Sequence, residues 1–200
     1  MSRALTFIAA LFVVIVAYLL IRNHESSILQ EPAVMVPKTT ENKEVSNFHE
    51  WREFSFKPDH FKILLPALPQ HVSDTIEDSI SKKMLKYETF ASAGDNGAAF
   101  MVNAVSYPEG VEPNEESFKT LVSEMLARNK ENKLIEMKSS TFHGGPALDF
   151  SFNNEDLLVE GKIIARKNTS YILSMINKKN TFNRKELEFF FNSFDFVDDK

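Results

Sequence analysis

The first residues to test for chemistry are the five histidines of this 200-residue chain, His24, His49, His60, His71 and His143. No two stand at the helical spacing that lets a pair of imidazoles share a metal, and no His-Glu-x-x-His run occurs. The chain has no cysteine, which removes thiol nucleophiles, Cys-ligated zinc, iron–sulfur clusters and thioredoxin-type redox chemistry. His143-Gly144-Gly145 has the composition of an esterase oxyanion loop. Without a Gly-x-Ser-x-Gly nucleophile elbow it reads as a turn between strands. The six glycines form no phosphate-cradling pattern. No catalytic, cofactor-binding or metal-ligating residue is therefore assigned.

Charged side chains cluster without converging. Glu109, Glu112, Glu115 and Glu116 could attract a cation or a basic partner, although acids at the start of a helix suit its dipole and need no further role. Asp149 lies between Leu148 and Phe150, so it points away from them and needs a partner if it is buried. Arg166-Lys167 forms one basic group. Lys178, Lys179, Arg184 and Lys185 form a second, flanking the last helix. This second group is the best candidate for partner contact, with a solvated face as the plainer account. Phe189 stands at the border of that helix's apolar stripe and is a candidate partner anchor. Asn168-Thr169-Ser170 is a formal glycosylation sequon at a hairpin tip.

The net charge of −5 is unevenly divided. Residues 1–22 contribute +2, residues 23–50 contribute −3 and residues 51–200 contribute −4. An acidic body repels phosphate backbones, so nucleic acid is not expected as a partner. Ala4 to Ile21 is an uncharged apolar run that as a helix covers about 27 Å, close to the hydrocarbon thickness of a bilayer. It exceeds a signal-peptide core, and no small-x-small site follows Ile21. We read it as an uncleaved single-pass anchor. The short N-terminal tail favours residues 23–200 on the extracytoplasmic side, although Arg3 and Arg22 nearly balance the positive-inside signal. In a bacterium that places the domain in the periplasm, on the inner membrane.

Residues 23–50 contain Pro32, Pro37 and mixed charges without an apolar period, and read as a flexible linker spanning roughly 30 Å. From Trp51 onward the pattern becomes globular, and 15 of the 18 phenylalanines lie in residues 51–200. Short alternating runs predict strands over 51–56, 61–65, 70–80, 83–93, 98–107, 134–142, 147–152, 157–166 and 171–176. Asp95-Asn96-Gly97, Gly144-Gly145-Pro146 and Lys167-Asn168-Thr169-Ser170 supply turns. Asn114 caps a helix whose stripe is Phe118, Leu121, Val122, Met125 and Leu126. Asn183 with Glu186 resembles a capping box before a second stripe of Leu187, Phe190, Phe191 and Phe194. The expected fold is α+β: an antiparallel sheet of about seven strands with two amphipathic helices packed on it as an α/β/α sandwich.

Several features in this order resemble the PsbP-like group, which includes the extrinsic PsbP subunit of photosystem II, Ran-binding Mog-type proteins and DcrB-like bacterial envelope proteins. They are Phe61-Lys62-Ile63-Leu64-Leu65-Pro66; Tyr107-Pro108 before the first helix; Gly144 to Phe150; Gly161-Lys162 with Tyr171 in the next strand; and a last helix leading into Asn192-Ser193-Phe194-Asp195-Phe196. The resemblance spans about residues 51–197 and implies a binding or assembly module without catalytic residues or cofactor. The chain departs from PsbP in its anchor, and from DcrB-like lipoproteins in lacking a lipid-bearing Cys. The function expected is a membrane-anchored, non-catalytic envelope module that binds a protein partner. Alternatives are an apolar-ligand or lipid carrier and a carboxylate-dependent hydrolase.

Overall fold

The computed structural model describes residues 48–77 and 84–198. The anchor expected over residues 4–21 and the linker up to residue 47 lie outside the described residues. Among the described residues no helix is long and apolar enough to cross a membrane.

The period-two alternation is expressed as strands in two sheets. The larger is a seven-stranded antiparallel sheet built from β3 (Gln70–Glu77), β4 (Met84–Ala93), β5 (Ala99–Ser106), β6 (Asn132–Phe142), β7 (Gly145–Asn154), β8 (Leu157–Arg166) and β9 (Thr169–Lys178). Their spatial order is β3-β4-β5-β9-β8-β7-β6. The smaller sheet holds β1 (Arg52–Phe56), β2 (Phe61–Leu65) and β10 (Asp195–Phe196), in the order β1-β2-β10. The two helices are α1 (Glu115–Ala127) and α2 (Arg184–Ser193).

The single-sheet expectation is thus met by seven strands, while β1 and β2 form a separate layer. Pro66 and Pro69 break the chain after β2, and a proline cannot donate to a ladder. Ser92 Oγ then ties the connection, accepting from Ala67 N–H at 3.0 Å and donating to Ala67 O at 2.9 Å. Phe61, Ile63 and Leu65 of β2 point onto the larger sheet and are fully buried there.

Each face of the larger sheet has its own core. On one face Phe90, Phe100, Val102, Tyr171, Leu173 and Met175 meet β2 and the Leu187, Phe190 and Phe194 stripe. On the other, Met101, Val105, Leu148, Phe150, Phe152, Ile163, Ile172 and Ile176 meet Phe118 and Val122 of α1. Helix α1 starts where expected: Asn114 Oδ1 accepts from Ser117 N–H at 3.1 Å, and Ser117 Oγ accepts from Asn114 N–H at 2.7 Å. The β6–β7 turn lies one residue earlier than the Gly-Gly-Pro sequence implies. Phe142 pairs with Gly145, and the turn residues His143 and Gly144 have φ of 48° and 81°, the two positive values of a tight hairpin.

Candidate functional site

Four of the five residues singled out for partner contact meet at one end of the sheet. Asn177 Nδ2 donates to Thr181 O at 3.2 Å and its Oδ1 accepts from Thr181 Oγ1 at 3.0 Å, folding the chain sharply from β9 into α2. Asn183 caps α2 by accepting from Lys185 N–H at 3.0 Å. Glu186 Oε2 accepts from Asn96 Nδ2 at 2.8 Å, fastening the helix to the β4–β5 hairpin. Lys178 and Lys185 are exposed. Lys179 is exposed and donates from Nζ to Glu155 O at 2.5 Å. Arg184 is engaged, reaching Glu160 Oε2 at 3.1 Å through Nη1 and Glu160 Oε1 at 2.7 Å through Nη2.

Phe189 lies one turn along α2 from Lys185. Its ring stacks on Phe48 at 4.4 Å and meets Trp51 edge-on at 5.3 Å, while Trp51 packs against Phe100 at 4.8 Å. The half-buried Phe189 is therefore where the entering chain docks on the domain. The short helical turn Phe48–Glu50 extends the packed body slightly upstream of Trp51.

Beyond α2 the same face of the sheet is polar. Lys138, Asp149 and Lys162 stand opposite one another on β6, β7 and β8. Asp149 is half-buried and paired with Lys162, whose Nζ also lies 3.4 Å from Ser140 Oγ and 5.9 Å from the centre of the Phe191 ring. Glu160 is buried, and burial pushes its carboxyl above the ordinary range even though Arg184 opposes the shift.

A second carboxylate centre escaped the sequence reading. Glu88 is 4% exposed and sits on the same face of β4 as Phe90. Lys86 Nζ lies 2.6 Å from its Oε1, Ser73 Oγ donates to Oε1 at 2.9 Å, and His71 Nε2 lies 2.6 Å from Oε2. Burial opposes ionisation of Glu88, but the bonds from Lys86, His71 and Ser73 together outweigh it and hold the carboxyl below its ordinary range. Asp59 lies over this group at 4.0 Å from Lys86 Nζ, and burial, with the nearby Glu88 charge, raises its carboxyl. Tyr171 donates to Asp59 O at 2.9 Å; burial and then the Asp59 charge push its phenol up to about 12. The available signal was parity: Lys86, Glu88 and Phe90 alternate onto one face, so Phe90 in the core brings Glu88 inward. Among the described residues no group of three His, Asp or Glu side chains is arranged to hold a metal.

No family model matches the sequence, and no curated protein matches it either. Solved structures do. The solution structure of cyanobacterial PsbP from Synechocystis sp. PCC 6803 aligns with a TM-score of 0.52 at 9% identity, covering 80% of this chain and 98% of that one. A Pseudomonas aeruginosa protein of unknown function aligns with a TM-score of 0.36 at 13% identity, covering 70% of this chain and 90% of that one. The first of these establishes that the fold is PsbP-like.

Proposed function

We propose that this chain is a non-catalytic binding or assembly module of the cell envelope. Residues 4–21 hold it in the membrane, and the linker presents the domain on the extracytoplasmic side, facing the periplasm in a bacterium. The observation that carries the binding role is the lysine corner. Lys178, Lys179 and Lys185 are exposed together on a chain whose net charge is −5. An acidic protein surface is drawn to this corner and repelled by most of the remaining surface, which orients the encounter. The buried carboxylates fit a structural role, because Glu88 already accepts from three side chains and Glu160 from both arms of a guanidinium. Arg184 is left to its internal pair, so the contact set proposed from the sequence narrows to the three lysines.

Two measurements on the full chain test this reading. Fractionation with protease accessibility is expected to find the chain in membranes with the domain accessible only from the extracytoplasmic side. Recovery of the intact chain in the soluble fraction overturns the tether. The Lys178→Glu, Lys179→Glu, Lys185→Glu triple variant is expected to lose salt-sensitive capture of its partner. Capture that is unchanged by the triple variant overturns the corner.

A further inference from the structure

The two edges of the larger sheet differ in sign composition. β3 carries Asp74 and no lysine or arginine, so two copies of that edge have no opposite charges to pair. β6 carries both signs, as Lys133, Glu136 and Lys138. It also holds Leu134 and Ile135, exposed to 47% and 55%, two of the few large apolar side chains left open to solvent among the described residues.

The hairpin fixes which backbone groups of β6 are free. Phe142 and Gly145 close a two-residue turn, so they form a hydrogen-bonded pair. Alternate residues Ser140, Lys138 and Glu136 then bond to β7, opposite Ala147, Asp149 and Ser151. Met137, Ser139 and Thr141 turn their N–H and C=O groups outward. The extra residue at Ile135, between the pairs Leu134–Phe152 and Glu136–Ser151, ends this regular stretch.

We infer that β6 pairs with β6 of a second copy, antiparallel, about a two-fold axis at Met137. Among axes at Glu136, Met137 and Lys138, charge selects this register. An axis at Glu136 or at Lys138 sets like charges directly opposite each other. An axis at Met137 sets Glu136 of each copy opposite Lys138 of the other, twice, and brings the free backbone groups of Met137 together as a hydrogen-bonded pair. Ser139 then lies opposite Ile135, the extra residue at which the regular pairing ends, so the junction brings that exposed apolar side chain against the second copy. The two sheets become one across the junction, an isologous contact that closes on itself and removes the open β6 edge. The inference stands apart from the lysine corner and from the membrane reading.

The test uses the full chain in detergent, where the absence of cysteine lets Met137→Cys report the axis. Residues of a hydrogen-bonded pair lie about 5.5 Å apart at Cα, within disulfide reach. Mild oxidation is expected to link Met137→Cys chains into dimers. In this background Glu136→Lys alone and Lys138→Glu alone are each expected to lower the yield about tenfold, because each sets like charges opposite twice. An equimolar mixture of the two is expected to restore it, since every pair is again of opposite sign. Equal linking in all four samples, or no recovery on mixing, overturns the inference. Ser139→Pro adds a backbone control, because its N–H faces away from β7 and its loss leaves the hairpin intact. This variant is expected to keep its circular dichroism and lose the dimer, and a folded variant that stays dimeric also overturns the inference.

Discussion

Three consecutive residues of β8 divide between the two faces of the sheet, and the faces accept close packing by different means. Gly161 lies on the α1 face, where the Phe150 ring crosses it so tightly that a Cβ would stand 2.2 Å from Phe150 Cζ. Its neighbours Glu160 and Lys162 point to the α2 face, where each is paired with an opposite charge. The α1 face is therefore governed by shape, and its weak points are steric. The flanks of the α2 face are governed by ionic pairing, and their weak points are electrostatic and sensitive to pH. The two buried carboxylates add a lesson of their own. Glu88 and Glu160 are exposed to 4% and 8%, yet the carboxyl with three partners is shifted down and the one with a single arginine is shifted up. At Glu160 burial outweighs the one guanidinium, with the Glu136 charge adding to the rise, whereas at Glu88 three donors outweigh burial.

The largest effect is expected where shape alone governs. Gly161→Ala places a methyl against Phe150 and also 2.8 Å from Leu173 O, a backbone atom that cannot rotate aside. A loss of about 3 kcal/mol is expected, roughly 10 °C in melting temperature. Phe150→Leu in the same chain is expected to return part of that loss, because it removes the nearer obstacle and leaves the carbonyl. A variant as stable as the wild type would mean that the two strands separate easily, and the contrast between the faces would fail.

Next comes Glu88→Gln, which keeps the shape and removes the charge. Lys86, His71 and Ser73 then face a neutral acceptor, and a loss of about 1–3 kcal/mol is expected at neutral pH. The pH dependence follows from the direction of the shift. A carboxyl held below its ordinary 4.5 in the folded chain binds fewer protons there than in the unfolded chain. The stability it contributes is present above that value and is lost as pH falls through the folded pKa. Denaturation curves from pH 7 downward are expected to converge for the wild type and Glu88→Gln. Curves that stay parallel would remove Glu88 as the source.

The Glu160 pair sharpens the comparison with a smaller effect, because the Arg184 side chain is 71% exposed and solvent screens it. Arg184→Ala is expected to cost about 1–2 kcal/mol, mainly by leaving a buried carboxylate without its partner. Adding Glu160→Gln is expected to recover most of that cost. The pH sign is opposite to that at Glu88. A raised carboxyl contributes stability below its ordinary 4.5 that is lost as pH rises through the folded pKa. Removing Arg184 raises that carboxyl further, so the cost of Arg184→Ala is expected to shrink as pH falls and the carboxyl takes up its proton. A double variant no more stable than Arg184→Ala would break the argument from donor number.

The parts of this molecule legible in the sequence are those whose signal is local. The α1 stripe around Phe118 and Val122 and the strands flanking Asp95-Asn96-Gly97 both follow from spacing within a few residues. The separate sheet of β1, β2 and β10 does not, because β10 joins β2 across more than a hundred residues, pairing Asp195 with Lys62. At Glu88 the parity with Phe90 was local, but the partners His71 and Ser73 come from β3 and Asp59 from a turn, so the centre as a whole was not. Arg184 read correctly as a basic residue at the corner, but its commitment to Glu160 depends on how α2 is laid across β8. Phe189 read as a border aromatic, and its cover came from Phe48, in the segment taken as linker.

The smallest expected effect returns to the α1 face and has the opposite sign. Ser170 and Ser174 of β9 are 0% and 2% exposed, and among the described residues neither hydroxyl has a hydrogen-bond partner. Ser174 pairs with Met101 on one side and Gly161 on the other, so no polar side chain faces it from either neighbouring strand. Stripping water from a hydroxyl without replacing its bond is a cost that the folded chain carries and alanine does not. Ser174→Ala and Ser170→Ala are each expected to stabilise by about 1 kcal/mol in urea unfolding. The gain is expected to be equal at pH 5 and pH 8, since no ionisable group takes part. If the gain changed with pH, a charge would be acting on the face assigned to shape; if the variants lost stability, the hydroxyls would have partners after all.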